Sequence, residues 1–318
     1  MLNRKFGLLA FVSLITVTAG LARAEDVVNV ANGQREAWEN SISELGQKAG
    51  IFKKHGLSLN IFYTQGSGET LQTTLSGAMD VGIGVGTHGV LGAMSKGAPV
   101  RIIGASFTGV DDLYYYVDAK SSVKTLVEAN GRSMGVSGNG SASHIIALGL
   151  QKQLGIAFKT MVTGTHASTY TQVMTSQVDI GFATAPLLLD KVAEGTIRII
   201  GRASEAPRFK FQTTRSLIAN AGFVEAKADI LARFIRAYEE TIDWYYSDPA
   251  AIKAYAEWVN LPVDVAARAP KEFQKKENLA TRNLSGLNDI IADAIEFKYI
   301  QGIPDPAALT KLVAIPPR

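Results

Sequence analysis

Cysteine is absent from the 318 residues. In an exported chain this excludes disulfides, so stability has to come from a packed core, and it excludes a lipid-bearing cysteine behind a leader. Histidine is scarce: His55, His88, His144 and His166 are the four, and no two are close enough in sequence to form a metal-binding pair. A hydrophobic run long enough to span a bilayer is also lacking at the amino terminus. Phe6 to Gly20 is apolar for about 15 residues, short of the ~20 a spanning helix needs.

That run follows Asn3-Arg4-Lys5 and precedes Ala22-Arg23-Ala24, the pattern of a secretory leader cleaved before Glu25. Residues 1–24 are therefore expected to be a signal peptide. The leader holds three cations and no acid, so the formal +3 of the whole chain falls to zero, 29 basic against 29 acidic residues. Nothing in that balance calls for nucleic acid or an acidic membrane. A Gram-negative periplasm is the expected address. About 294 mature residues exceed one small domain, and two are expected.

What is present is a repeat. Residues 76–106 and 175–204 align with a two-residue gap: an acid (Asp80, Asp179), a glycine two further on (Gly82, Gly181), and a closing Arg-Ile-Ile-Gly (Arg101–Gly104, Arg198–Gly201). Each copy reads as strand, loop, helix, strand, and the short apolar strands suit a buried parallel sheet. Upstream, Leu57–Tyr63 with T-Q-G-S-G-E-T and Met161–Thr163 with G-T-H-A-S-T-Y extend the match. From Ala226 the chain turns helical. An apolar stripe at 230, 231, 234, 235, 238, 242 and 245 predicts one helix, Ser247-Asp248-Pro249 ends it and caps the next, and a third is expected over Leu287–Ile300.

The stretch S-G-N-G-S-A-S-H-I-I, from Ser137, places glycines, asparagine and serines at the mouth of a helix. Free N–H groups and the helix dipole make such an end a site for an anion or polar group, and serine is also an ordinary N-cap. Together with K-A-G-I-F-K-K-H-G-L at 48–57 and M-D-V-G-I-G at 79–84, it resembles the solute-binding proteins of ABC importers. The branch it looks most like is the sulfonate/nitrate/taurine group, which also includes thiamine-precursor binders. The resemblance covers nearly the whole mature chain. It implies an α/β fold: a two-domain, type II-like periplasmic binding protein with two crossover strands and a helical C-terminal region. Domain I is expected over 25–106 and 212–318 and domain II over 107–211, with crossings near Phe107–Tyr116 and Pro207–Thr214. It further implies a small-molecule ligand captured by hinge closure, a permease in the inner membrane as partner, a monomer, and neither cofactor nor metal.

Ligands of open parallel sheets bind beyond the carboxyl ends of strands. Loops at those ends supply the candidate ligand-binding residues: Gln34, Arg35 and Trp38; Ser67 and Gly68; Thr87 and His88; Asn139, Ser141, Ser143 and His144; His166; and Thr184. Arg35 offers a planar fork for a carboxylate or sulfonate, and Trp38 either stacks on ligand or packs its helix. Where sulfonate-binding members tend to carry a bulky W-D-P-type sequence, this chain has Thr184-Ala185-Pro186, so a roomier pocket and a larger organic anion, aromatic ones included, are expected. No G-x-S-x-G, H-E-x-x-H or P-loop occurs, and a non-catalytic receptor is expected over an enzyme or a ligand-sensing domain on the same fold.

Overall fold

The structure is a computed structural model that describes residues 24–317; the expected leader lies, but for its last residue, outside the described residues. Among the described residues ten strands are present: β1 Asp26–Asn32, β2 Leu57–Tyr63, β3 Val81–Gly86, β4 Val100–Thr108, β5 Leu113–Asp118, β6 Ser133–Val136, β7 Lys159–Val162, β8 Gly181–Thr184, β9 Ile197–Arg202 and β10 Thr213–Asn220. They form a five-stranded sheet in the order β2-β1-β3-β10-β4, a three-stranded sheet β8-β5-β9, and a β6-β7 pair. A parallel bridge between Met134 and Ile180, with Gly135 N–H donating to Ile180 O at 2.8 Å, lays β6 alongside the start of β8.

The second set thus runs β7-β6-β8-β5-β9 and repeats the first position for position. In each, the three strands on one side are parallel and the next strand is antiparallel to both neighbours. That antiparallel strand is exchanged in sequence: β5 follows β4 of the other sheet, and β10 follows β9. The chain passes between lobes twice, through residues 109–112 and 203–212.

The repeat has a side-chain basis. Asp80 Oδ2 accepts from Asn29 N at 2.8 Å and Asn29 Nδ2 at 2.9 Å; Asp179 Oδ2 accepts from Ser133 N at 2.9 Å and Ser133 Oγ at 2.6 Å. Each acid ties the strand that follows it to the first parallel strand of its own lobe. Likewise Thr64 and Thr70 share an Oγ1–Oγ1 bond of 2.7 Å, and so do Thr163 and Thr169, at the two corresponding strand-to-helix turns.

The helical tail covers the first sheet. In Ala228–Ser247 the residues Leu231, Phe234, Ile235, Tyr238, Ile242 and Tyr245 are buried, the stripe expected from the sequence. Asp248 accepts from Ala250 N at 2.8 Å and Pro249 opens the next helix, Pro249–Val259. The helix expected over Leu287–Ile300 ends at Glu296. Lys298 turns left-handed (φ 63°) and Tyr299 N returns to Ala294 O, which sends the Tyr299 hydroxyl to the second lobe, where Gly140 N donates to it at 3.2 Å. Among the described residues no helix is long and apolar enough to cross a membrane.

Candidate ligand cleft between the lobes

Helices Ser67–Leu75, Ala142–Leu154 and His166–Met174 start at the carboxyl ends of β2, β6 and β7 and point their N-termini into the cleft. Ser141 caps the second, accepting from His144 N at 3.2 Å, and Thr165 caps the third, accepting from Ser168 N at 3.2 Å. Ser143 Oγ accepts from Ser137 N at 2.9 Å and lies 3.0 Å from Ser141 Oγ. The turn is thereby held by its own serines.

The glycines have another task. Gly89 N donates to Gly140 O at 3.1 Å, backbone against backbone across the lobes. A Cβ on Gly86 would lie 2.1 Å from Gly140 O, one on Gly66 2.7 Å from Ser137 O, and one on Gly138 3.0 Å from Gly68 N. Gly140 also sits at φ 78°, where a side chain is strained. The glycine-rich run seen in the sequence therefore lets the two lobes touch.

Gln34 spans the same boundary. Its Nε2 donates to Ser137 Oγ at 3.0 Å and Gly164 O at 3.2 Å, and its Oε1 accepts from His166 N at 3.2 Å. Ser67 N donates to Ser137 Oγ at 3.1 Å. Behind Gln34 lies a cavity of about 30 Å³ lined by Gln34, Glu39, Asn40, Ser67, Ser141, Ser143, His166, Phe182, Thr184 and Arg215 among others. That is room for about two or three water molecules, so an organic solute requires the lobes to part. The roomier pocket expected beside Thr184 is not open in this arrangement, where Thr184 lines only this small cavity together with Phe182 and Gln34. In front of Gln34 is a vestibule of about 220 Å³ that includes Arg35, Tyr63 and Gln65.

Arg215, on β10, is the charged centre of the inner cavity. Its Nη2 donates to Asp112 Oδ2 at 2.6 Å, its Nε forms an ion pair with Glu39 Oε1 at 2.9 Å without hydrogen-bond alignment, and its guanidinium stacks 4.3 Å from the Phe107 ring centroid. Burial disfavours charge on Arg215, but Asp112 and Glu39 outweigh it and hold its pKa up. Burial raises the Asp112 carboxyl to about 7 despite Arg215 beside it. His166, desolvated and facing Arg215, is lowered to about 3 and is neutral at ordinary pH.

Of the sequence candidates, Gln34, Ser67, Ser141, Ser143, His166 and Thr184 line the inner cavity. Arg35 stands exposed in the vestibule, its guanidinium 5.4 Å from the Tyr63 ring and 5.0 Å from the Trp258 ring. The others are elsewhere. Trp38 is fully buried, edge-on to Tyr245 and Tyr255 at 4.7 and 4.8 Å, because the turn after β1 tucks it beneath the helical tail. Thr87 bonds Thr213 O and Ser216 Oγ on β10. His88 is buried 4.0 Å from Asp293, and desolvation lowers it to about 3. Asn139 is exposed, Gly68 packs on Gly138, and His144 Nδ1 faces the Tyr299 hydroxyl at 2.5 Å. The three loop histidines do not converge. Sequence reasoning passed over Glu39, Asn40 and Arg215; a charged residue inside the otherwise uncharged strand T-T-R-S-L-I-A-N was the one available signal.

A family model described as NMT1/THI5 like matches residues 44–252, more than half of the chain, and the protein belongs to that family. No curated protein sequence matches it. Among solved structures it is similar to the alkanesulfonate-binding protein of Xanthomonas axonopodis pv. citri (TM-score 0.74, 16% identity, covering 92% of this chain and 99% of that one). It is also similar to the periplasmic nitrate-binding protein of Synechocystis (TM-score 0.70, 13% identity, 91% and 86% covered). A desulfurization enzyme shares the fold as well (TM-score 0.60, 15% identity, 92% and 97% covered). At these identities the likeness establishes the fold, which is that of the two-domain periplasmic binding proteins.

Proposed function

We propose that this chain is the periplasmic solute-binding component of an ABC importer, a monomer that captures a small organic anion between its lobes and delivers it to a permease in the inner membrane. The observation that carries this reading is the polar cavity at the lobe boundary, reached by three helix N-termini and sealed by hydrogen bonds that break when the lobes part. Such bonds are weak singly, so a solute contacting both lobes can shift the population toward closure. The lobe limits we propose are 25–106 with 212–318 for the first and 107–211 for the second, supported by the membership of the two sheets. The anion class, a sulfonate, a carboxylate or an aromatic relative of either, is supported by the helix ends, by Arg35 at the mouth, and by the sulfonate- and nitrate-binding names of two structural neighbours.

The desulfurization enzyme of the same fold gives catalysis as the second reading. Against it stand the missing catalytic motifs and a cavity whose histidine, His166, is a poor base. Native mass spectrometry of protein purified without refolding will show a co-purifying solute, and deletion of the gene will abolish its uptake. A solute chemically changed on incubation with the protein, or uptake that survives deletion, would overturn the importer reading.

A further inference from the structure

Residues 263–274 follow helix Pro249–Val259 in the tail, inside the span of the first lobe by sequence. Their side chains nevertheless divide between the two lobes. Ala266 and Ala269, both fully buried, belong to the core of the first lobe, the cluster of Tyr238, Tyr245 and Tyr255. Phe273, 7% exposed, belongs to the core of the second, the cluster of Tyr114, Tyr116 and Ile197, and Val265 packs against that cluster too. Among the described residues Phe273 is its one buried member from outside 107–211. The guanidiniums of Arg202 on β9 and of Arg268 sit 5.4 and 5.6 Å from the Phe273 ring centroid.

Gln274 divides within a single residue. Its carbonyl accepts from the Tyr246 hydroxyl of the first lobe at 2.5 Å, and its Nε2 donates to Ala185 O of the second at 2.6 Å. The side chain is fully buried and its Oε1 has no partner, so the bond to Ala185 is what offsets the desolvation of the amide. Ala185 N in turn donates to Asp112 O of the first crossing at 2.8 Å, and the residue before it, Thr184, lines the inner cavity. Neither Phe273 nor Gln274 lines that cavity or the vestibule.

The bonds that Gln34 and Ser67 make across the cleft are polar, and water replaces them at little cost when the lobes part. The tail segment differs. Parting the lobes pulls Phe273 from the second core or Ala266 and Ala269 from the first, and either exposes apolar surface at about 25 cal/mol per Å². We propose that residues 263–274 are a strap that biases the solute-free protein toward closure, with Phe273 and Gln274 as positioning residues for solute capture.

The test measures the distance between two nitroxide labels by pulsed electron resonance in protein freed of solute. Gln72→Cys and Thr171→Cys place one label on each of the helices Ser67–Leu75 and His166–Met174, both positions are exposed, and no native cysteine competes. The labelled parent should populate mainly the short distance. Phe273→Ala should lower the closed-to-open ratio at least about tenfold, and Gln274→Leu, close in volume but without the N–H, about three- to tenfold. Ile197→Ala truncates a second-lobe residue of the same core and should lower stability with no change in distance, which a merely structural role for Phe273 would also give. Circular dichroism checks folding, and Gln274→Leu carries the test if Phe273→Ala does not fold. A parent centred on the long distance, a folded Phe273→Ala or Gln274→Leu with the parent's ratio, or equal opening in Ile197→Ala would overturn the strap. The importer reading is judged by uptake and stands apart from each of these outcomes.

Discussion

Arg215 on β10 of the first lobe and Asp112 in the crossing that leads to β5 of the second lie 2.6 Å apart, both almost fully buried. The ion pair thus joins a sheet strand of one lobe to the hinge segment of the other, and Glu39 closes it from the turn after β1. Replacing Arg215 by Met should leave the buried Glu39 and Asp112 carboxyls without their cation and destabilise the fold by about 3–5 kcal/mol. Urea unfolding measures this. Combining the change with Glu39→Gln and Asp112→Asn should restore much of the loss, and a triple variant no better than the single one would contradict the pairing.

Asp112 also sets a pH dependence. Its carboxyl is raised by burial from 3.8 to about 7 in the folded chain. Between those values the folded protein holds a proton that the unfolded chain has released, so this group's contribution to stability is full at low pH and is lost as pH rises toward 7. His166, lowered to about 3, acts in the opposite sense, its contribution being lost as pH falls below 6.5. Thermal melts of Asp112→Asn against wild type should therefore show the variant gaining relative stability from pH 4 to 7. A difference that does not change with pH would refute the assignment.

Two glycines separate lobe contact from lobe folding. The atoms nearest a Cβ at Gly86 are backbone of the other lobe, Gly140 O at 2.1 Å first, at a φ of −57° that alanine accepts. Gly86→Ala should leave unfolding within about 1 kcal/mol of wild type while raising the radius of gyration in solution scattering. A Cβ at Gly181 instead meets the ring of Tyr116 at 2.3 Å, inside one lobe. Gly181→Ala should cost about 1–3 kcal/mol of stability by overpacking without opening the lobes.

Trp38 belongs to the core. Truncation to Ala should cost about 3–5 kcal/mol, as large buried side chains do. Trp38→Phe keeps most of the packing and loses the Nε1 bond to the Tyr246 hydroxyl at 3.2 Å. Calorimetry of Trp38→Phe should find solute affinity unchanged; a lost signal in a folded variant would return Trp38 to the site.

The duplicated α/β plan was legible because it is written in local pattern. Asp80 and Asp179 recur at the same place relative to Gly82 and Gly181, and each bonds the backbone of its own lobe's first parallel strand. The Asp248-Pro249 cap and the stripe from Leu231 to Tyr245 depend on neighbours three or four residues apart, which sequence displays directly. The early end of the third tail helix was hidden, since it follows from a contact between Tyr299 and Gly140, 159 residues apart in sequence.

The candidate site was half visible for the same reason. Gln34, Ser67, Ser141, Ser143, His166 and Thr184 stand at strand ends, and strand ends converge in this class of sheet whatever their side chains. Which of their neighbours turn inward is another matter. Trp38 and Glu39 are adjacent in sequence, and only packing against Tyr245 and Tyr255 sends the first to the core and leaves the second to face Arg215.

By itself, then, the sequence determined the two-lobe plan, the absence of disulfides, the capped helical tail and the loops that border the cleft, all of which rest on composition and short-range periodicity. Tertiary structure alone decided that the glycines serve contact between lobes and that Arg215 is shared by Glu39 and Asp112. Those are pairings across about 50 to 180 residues of chain, and the energy that selects them, burial of charge against burial of aromatic surface, exists only once the lobes are folded.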